Sequence, residues 1–599
     1  MKKKLAALLL VLCALSAYAP ALRNDFVWDD HALILRDPLI RSWQLIGEGF
    51  THFLFTDAAA SDFYRPLQRL SYTLDYAAFF ISPMGYHVVS LLWHAAAAVA
   101  LFFFAEEFFA RSQMEARKRS LVAFGAALVW ALHPVQSAAV VYISGRADPL
   151  TATFGFLGLY LALRMLRAEG NARWGFRIGA GLAFLASALS KEAGLIFLLV
   201  WLIIALTQRP RQGLLGTAGL LAGVLCAYLS LRLPAEHQPA PVPPATPFLV
   251  RPIVSSRAVA EYAGLLALPW RLHMERDVET RPTGYDSAGM VAASWRELQT
   301  LLGLLLLAVA AFLLWRARRQ SAIFLPLLLA LICYLPISGL ITLNATIAEH
   351  WLYLPSAFLF LGAGAALASS GWLAEKNLRA RALTVCLTTW FLFLPVRTSL
   401  RTFDWKDQRT FLTRTIRDGG DSARMWINLG GLELTEGNFV AARAALDHAL
   451  AKDPDNSLAL LNLAAVTIKR GDFPGARAIL LRIKEPPELR ARAEESLAVL
   501  ENRESGKVNL LRLRLAARLG PTNWMIEKRY IKALADLNYP ERAITELKTC
   551  LAAAPYRAES WQMMSALLHR IGRPNEAALA MFLAESNDVH LRRRGTVPL

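Results

Sequence analysis

Apolar residues come in long unbroken runs as far as residue 396 and only in short helical spacings beyond it. The runs lie near 5–22, 86–109, 120–137, 149–166, 177–190, 193–207, 214–232, 297–315, 322–342, 353–372 and 380–396. Each holds about 15–25 residues, enough to cross a ~30 Å hydrocarbon layer as a helix. They predict an all-α polytopic membrane domain over 1–396 with about eleven transmembrane helices. Residues 177–207 also read as one broken hairpin, which puts the count between ten and twelve. Polar residues between the runs sort by side. With Lys2–Lys4 placed in the cytoplasm and the runs alternating, the inner loops hold Arg111/Arg117/Lys118/Arg119, Arg164/Arg167/Arg173/Arg177, Arg209/Arg211, Arg316/Arg318/Arg319 and Lys376/Arg379/Arg381. Every such loop is basic, as the positive-inside rule requires. Two long outer loops follow, 23–85 and 233–296. The second opens proline-rich, from Pro239 to Pro252, and should be partly extended. An odd number of spans puts the C-terminus outside.

Beyond a connecting helical segment at 397–422, small and apolar residues recur every 34 positions. One unit from Ala423 carries Trp426, Leu429, Gly430, Gly437, Phe439, Ala442, Leu446, Ala449 and Pro454; the next, from Ser457, carries Leu460, Leu463, Ala464, Gly471, Phe473, Ala476 and Leu480. Later units show Ala543, Leu547 and Pro555, then Trp561, Gly572, Ala577 and Ala584, and 490–523 fits a degenerate copy. This is the tetratricopeptide pattern of paired helices. About five repeats over 423–591 predict an α-solenoid, with a tail at 592–599.

Composition adds little to that division. The net charge of +18 falls largely in the short inner-loop clusters, and no Lys/Arg tract interleaved with aromatics suggests nucleic acid. Cys13, Cys226, Cys333, Cys386 and Cys550 form no CxxC or CxxH pair, so neither a zinc site nor a disulfide framework is expected. Residues 1–22 resemble a signal peptide ending Ala17-Tyr18-Ala19, but Pro20 directly after that site favours an uncleaved first span.

The candidate chemistry gathers on the outer side. Asp29 and Asp30 follow directly on the first apolar run, in Asn24-Asp25-Phe26-Val27-Trp28-Asp29-Asp30. A carboxylate pair there should sit at the membrane–water boundary. Glycosyl transfer to a hydroxyl needs a base for the acceptor's proton and tolerates a carboxylate near an oxocarbenium-like centre. The bland alternative is a solvated loop capping a helix at 31–35. Arg65, Arg146, Lys191 and His350 lie on the same predicted side, and guanidinium and ammonium groups suit a phosphate leaving group. The alternative pairs Arg65 with Asp62, Arg146 with Asp148 and Lys191 with Glu192. His87, His94 and His133 lie near predicted boundaries; His87 and His94 are two turns apart, too far to chelate one ion, and a hydrogen-bonding or phosphate-binding role is expected instead.

Taken in order, Trp28-Asp29-Asp30, Tyr64-Arg65-Pro66-Leu67, Tyr86-His87 with His94, His133-Pro134-Val135, Gly145-Arg146-Ala147-Asp148, Ser190-Lys191-Glu192 and Ala348-Glu349 with Leu352-Tyr353-Leu354-Pro355-Ser356 resemble the membrane glycosyltransferases that carry C-terminal tetratricopeptide repeats, the transmembrane and tetratricopeptide-repeat O-mannosyltransferases. The resemblance runs from about residue 5 to 590 and marks the chain as similar to a bacterial relative of that family. It implies a GT-C fold and inverting transfer from a polyprenyl-phosphate sugar, with no cofactor; it leans against a metal without excluding one. It implies that Asp29 and Asp30 supply the catalytic carboxylate, with Asp29 the preferred base. Arg65, Arg146, Lys191 and His350 become candidates for the lipid phosphate. His87, His133, Asp148, Glu192, Glu349 and Tyr353 join them as substrate-binding candidates. Two positions depart from the family pattern. Gln136 to Ala139 lack the Glu that usually follows His-Pro-Val, and His350 stands where Arg often follows Ala-Glu. The donor sugar can therefore differ from mannose.

The leading expectation is a periplasm-facing enzyme of a bacterial inner membrane, N-terminus cytoplasmic and repeats periplasmic. It moves a mannose-like sugar from the lipid carrier to a hydroxyl, with a Ser/Thr side chain of a protein held on the repeat surface as the expected acceptor. One alternative is a non-catalytic membrane-anchored repeat scaffold for envelope assembly. Another is a lipid or polysaccharide transporter, disfavoured because the runs hold almost no acids besides Glu106 and Glu107.

Overall fold

A computed structural model describes residues 2–56, 62–112, 114–207, 214–235, 247–248, 250–278, 287–340, 343, 345–372 and 377–594, the side chains of 214, 287–293 and 594 excepted. The fold is all-α: among the described residues the only β pairing is an isolated bridge between Arg276 and Ile347. Arg209, Arg211, Lys376 and the proline-rich opening at 236–246 lie outside the described residues.

A helix stands at each of the eleven apolar runs, but not every one is a span by its own length. Among the described residues, six helical stretches are long and apolar enough to cross: Lys3–Arg23, Pro83–Phe109, Leu215–Arg232, Ser294–Ala317, Glu349–Ser370 and Leu378–Trp405. A seventh crossing forms if Ala116–Leu132 and Pro134–Val140, bent by 55°, act as one. The helices Ala147–Met165, Gly170–Ser190, Ile196–Thr207 and Ser321–Tyr334 fall short in length or composition. Asp148 and Arg164 occupy the first and last turns of the first of these, and the last two are only 12 and 14 residues long. Length and composition thus support six or seven crossings where eleven were expected.

Burial follows position in the bundle. Pro83–Phe109, 27 residues with proline at its first turn, rises about 40 Å. It lies at the centre, and Ala97, Ala98, Leu101, Phe104 and Ala105 are sealed against neighbouring helices. The spans Ser294–Ala317 and Leu378–Trp405 are only 11% buried and turn Leu301, Leu305, Phe312, Val385 and Leu392 outward. Such surface is stable against lipid and a liability in water.

Below residue 402 the helix Leu378–Thr402 passes through a short 3-10 turn, Phe403–Trp405, and the helix Gln408–Arg417 into five helix pairs. These are Ala423–Thr435 with Phe439–Lys452, Ser457–Lys469 with Phe473–Leu481, Pro487–Ser505 with Leu510–Leu519, Trp524–Asp536 with Pro540–Ala553, and Ala558–Arg570 with Pro574–Asn587. Each pair turns through one residue with positive φ, namely Gly437, Gly471, Gly506, Asn538 and Gly572. Only glycine takes that conformation freely, and Asn is the usual substitute. The solenoid does not hang free. Its last pair folds back on the first long polar segment, where Tyr76 Oη donates to Asp588 (2.8 Å), His590 Nε2 meets the Tyr76 carbonyl (3.0 Å) and Val589 N donates to the Arg41 carbonyl (3.1 Å).

Candidate active site

The acidic turn is built by the junction of the membrane region with the solenoid. After the 3-10 turn Ala19–Arg23 the chain extends, and its polar groups are taken by the connector: Asn24 Nδ2 donates to the Thr402 carbonyl (2.9 Å) and Asp25 N to the Lys406 carbonyl (2.8 Å). Trp28 then adopts φ +56°, a conformation that costs a non-glycine residue about 1–3 kcal/mol. Three contacts hold it there. Its N–H donates to Gln408 Oε1 (2.7 Å), its ring meets Phe411 edge-on (5.4 Å) and the Arg424 guanidinium lies 5.5 Å from its centroid. The reversal at Trp28 aims the two aspartates in different directions.

Asp30 points inward and is fully buried. Its carboxylate accepts from Val27 N (3.1 Å), Ser144 N (2.7 Å) and Ser144 Oγ (2.5 Å), so it ties the acidic turn to the turn at 143–146. Burial pushes its pKa up to about 7, against the pull of the Ser144 and Val27 hydrogen bonds. Gly145 lets that turn pack on the backbone of Ala138 and Ala139: a Cβ there would lie 2.5 Å from the Ala138 carbonyl oxygen. Asp29 is only partly buried. Its N–H donates to Tyr142 Oη (3.2 Å), and the Tyr142 hydroxyl also faces its carboxylate. Tyr142 is held flat on Trp405 (5.3 Å between centroids, 23°). Partial burial raises the Asp29 pKa; the Tyr142 hydroxyl and the charges of Arg424 and Arg65 oppose that rise.

Several predicted residues converge beside Asp29. Arg65 Nε contacts Glu192 (3.0 Å) and its guanidinium packs on Phe63 (4.5 Å), while Glu192 also accepts from Tyr64 N (2.6 Å). Lys191 Nζ contacts Asp148 (2.7 Å). Burial lowers the Lys191 pKa and Asp148 works against that. His350 feels the charges of Lys191, Asp148, Arg65 and Glu349. Asp29, Arg65, Asp148, Lys191, Glu192 and His350 therefore form one largely buried patch that keeps some access to solvent. The ion pairs differ from the sequence alternative: Arg65 takes Glu192 rather than Asp62, and Lys191 takes Asp148 rather than Glu192.

The other predicted residues do not join the patch. Arg146 is fully buried and ion-paired with Asp75, with further bonds to Ser90 Oγ (3.0 Å), Ser71 Oγ (3.2 Å) and the Tyr86 carbonyl (2.7 Å). Expected as a phosphate ligand, it is fully buried and makes four hydrogen bonds inside the protein, away from the patch. His133 caps the break before Pro134: Nδ1 accepts from Val135 N (3.2 Å) and Nε2 contacts the Leu266 carbonyl (3.0 Å). His87 is buried beside Asn24 and Asp25. Tyr353 lies in the bundle interior, its hydroxyl on His94 Nδ1 (2.7 Å). Glu349 is fully buried and accepts from His273 N (2.6 Å), Arg276 (3.1 Å) and Arg401 (3.4 Å). Arg146, His133, Tyr353 and Glu349 are engaged by internal partners, His87 is buried with neither ring nitrogen hydrogen-bonded among the described residues, and none of the five lies in the patch beside Asp29. Among the described residues no group of three or more His, Cys, Asp or Glu side chains could hold a metal ion.

Tyr142, Ser144, Trp405 and Arg424 were not legible as site residues. Ser144 and Tyr142 had one signal, their position between two recognised motifs. Arg424, nearly 400 positions from Asp29 and ion-paired with Glu275, had none.

A bundle of apolar helices with a charged patch at the mouth, leading straight into a tetratricopeptide solenoid, defines a polytopic integral membrane protein. Residues 409–456 and 433–498 match tetratricopeptide repeat models. Over most of its length the chain is similar to protein O-mannosyl-transferases, 25% identical over 447 residues to one from Caenorhabditis elegans (70% of this chain, 59% of that protein) and 26% identical over 491 residues to TMTC4 of Homo sapiens (72% and 64%). It is a relative of the transmembrane and tetratricopeptide-repeat O-mannosyltransferases. The chain spans less than two thirds of the length of these curated relatives. A solved structure of ArnT from Cupriavidus metallidurans bound to undecaprenyl phosphate aligns with 80% of this chain and 81% of its own, at 17% identity and a TM-score of 0.34.

Proposed function

We propose that this protein is a GT-C-type membrane glycosyltransferase that moves a mannose-like sugar from a polyprenyl-phosphate donor to a Ser/Thr hydroxyl of a protein, on the periplasmic face. The observation that carries this reading is the partly buried Asp29 carboxylate beside Arg65, Lys191 and His350, in a chain related along most of its length to O-mannosyl-transferases.

Asp29 acts as the base. It takes the proton of the acceptor hydroxyl as that oxygen attacks the anomeric carbon, and the bond from that carbon to the phosphate oxygen breaks with inversion. A carboxylate whose pKa is raised by burial is a stronger base than a solvated one. The phosphate leaves with its charge facing Arg65 and Lys191, whose present partners Glu192 and Asp148 keep them oriented until the donor arrives. Asp30 does not exchange a proton; it fixes the Trp28 turn through Ser144.

Glycoprotein and glycolipid analysis of a deletion strain tests this reading. Wild-type complementation restores the missing glycan and Asp29→Asn does not. Full restoration by Asp29→Asn supports the scaffold alternative instead, which the internal pairing of Arg65 and Lys191 favours.

A further inference from the structure

The fold-back of the solenoid encloses a cleft of about 580 Å³ between the segment at 35–41 and the third to fifth helix pairs. Two properties set it apart. First, its charges do not balance. Arg36, Arg41, Arg492, Arg529 and Arg557 line it against Glu495, Glu559 and Asp588. All three carboxylates already have partners: Glu495 pairs with Arg529 (2.6 Å), Glu559 accepts from Trp524 Nε1 (2.8 Å) and Asp588 from Tyr76 Oη (2.8 Å). Arg36 and Arg492 have no carboxylate within ion-pair distance among the described residues. Arg36 contacts only the His31 carbonyl (3.4 Å). Both side chains are exposed within the cleft, and each lies in the field of the other. The nearest anion to Arg492 is Glu495, which is already paired with Arg529, so the cleft is left short of negative charge, and a ligand carboxylate would make up the deficit. Second, the lining also includes the apolar residues Leu35, Pro38, Trp524 and Met525, of which Met525 is exposed. A bare phosphate needs no such lining; a peptide with apolar side chains beside its acids does.

We propose that this cleft binds an acidic, extended peptide segment, with Arg36 and Arg492 clasping its carboxylates and Trp524 and Met525 receiving a neighbouring apolar side chain. This rests on the reading of the chain as a protein-modifying transferase and makes it more specific: the acceptor is captured by an acidic stretch flanking the modified hydroxyl. The cleft is bounded on one side by the segment that follows Asp29 directly, so capture and transfer share one element.

The test uses the full-length protein in nanodiscs of neutral lipid and a fluorescein-labelled peptide that alternates Glu with Leu around a central Ser. The same peptide with Lys for Glu is the control, and inorganic phosphate and phosphatidylglycerol vesicles are competitors. The acidic peptide should bind at least ~10-fold tighter than the basic one. Arg36→Glu with Arg492→Glu should weaken it ~10-fold or more, as expected for two lost charge-assisted contacts. The milder pair Arg36→Gln and Arg492→Gln, checked for an unchanged melting temperature, should give an intermediate loss. Equal binding of both peptides, undiminished binding to the reversed variant, or displacement by phosphate or vesicles as effective as by unlabelled peptide overturns the proposal. Asp29→Asn separates the two readings. Acidic-peptide binding without sugar transfer by the wild-type protein removes the transferase reading and leaves the cleft. Transfer that depends on Asp29 but is indifferent to peptide charge does the reverse.

Discussion

Adjacent carboxylates on one turn usually share an environment; here the left-handed Trp28 sends Asp30 into the protein and leaves Asp29 at the surface of the patch. The same substitution should therefore have two outcomes. Asp29→Asn should leave the fold intact and slow transfer by about 10²–10⁴-fold, the usual worth of a positioned base. Asp30→Asn puts an amide where Val27 N, Ser144 N and Ser144 Oγ all donate, and should cost about 1–3 kcal/mol in denaturant or thermal unfolding. Proton linkage gives Asp30 a second signature. Its pKa of about 7 in the fold lies above the ~3.9 of an unfolded chain, so folding takes up a proton between those values. The contribution is full below pH ~4 and lost as pH rises through about 7. The melting temperature of the wild type should fall across that window, with a shallower slope in Asp30→Asn. Arg146 and Arg65 divide in a similar way. Arg146→Ala strands the buried Asp75 and should cost about 3–5 kcal/mol, whereas Arg65→Ala should lower transfer with little change in melting. Sequence marked both arginines alike, because residue type and predicted side do not reveal whether a guanidinium is enclosed. Nor does residue type reveal that His133 has Nδ1 on Val135 N at a helix break and Nε2 on the Leu266 carbonyl.

The elements that matter most are short. The connector at 402–411 holds the first polar segment through Asn24, Asp25 and Trp28, and it also supplies Trp405 beneath Tyr142. Gln408 and Arg424 are positioning residues for Asp29. Gln408→Ala should lower kcat more than it raises KM. Arg424→Ala should move the acidic limb of the pH–rate profile upward, since the Arg424 charge holds the Asp29 pKa down; an unshifted limb would leave Arg424 a packing residue only. The repeats were legible because a 34-residue period fixes small residues at every helix crossing. Even the degenerate third unit keeps its turn at Gly506, and Asn538 stands for the glycine of the fourth. The spans were legible as apolar runs but not as crossings. Helices inside the bundle are short or carry Asp148 and Arg164, and a hydropathy pattern does not separate a buried half-helix from a span.

At the scale of the whole molecule, solenoid and membrane bundle meet twice, at the connector and again where the last pair returns to Tyr76 and Arg41. The repeats therefore share a side with Asp29 whatever the number of crossings, a conclusion the span count alone did not secure. Tyr76→Phe with His590→Ala should loosen both partners together, by about 0.5–1.5 kcal/mol per lost bond, seen as faster hydrogen exchange in the helix Pro66–Phe79 and in the final repeat. The central claim is that Asp29 removes the acceptor's proton within a patch that holds the departing phosphate. It is tested most directly by single-turnover transfer from a polyprenyl-phosphate mannose to a Ser/Thr peptide, by purified wild type and Asp29→Asn of equal melting temperature. The wild type should transfer the sugar at a rate that rises with pH through a pKa above the usual aspartate value, and Asp29→Asn should lose about 10²-fold or more. Equal rates in the two proteins would contradict the claim.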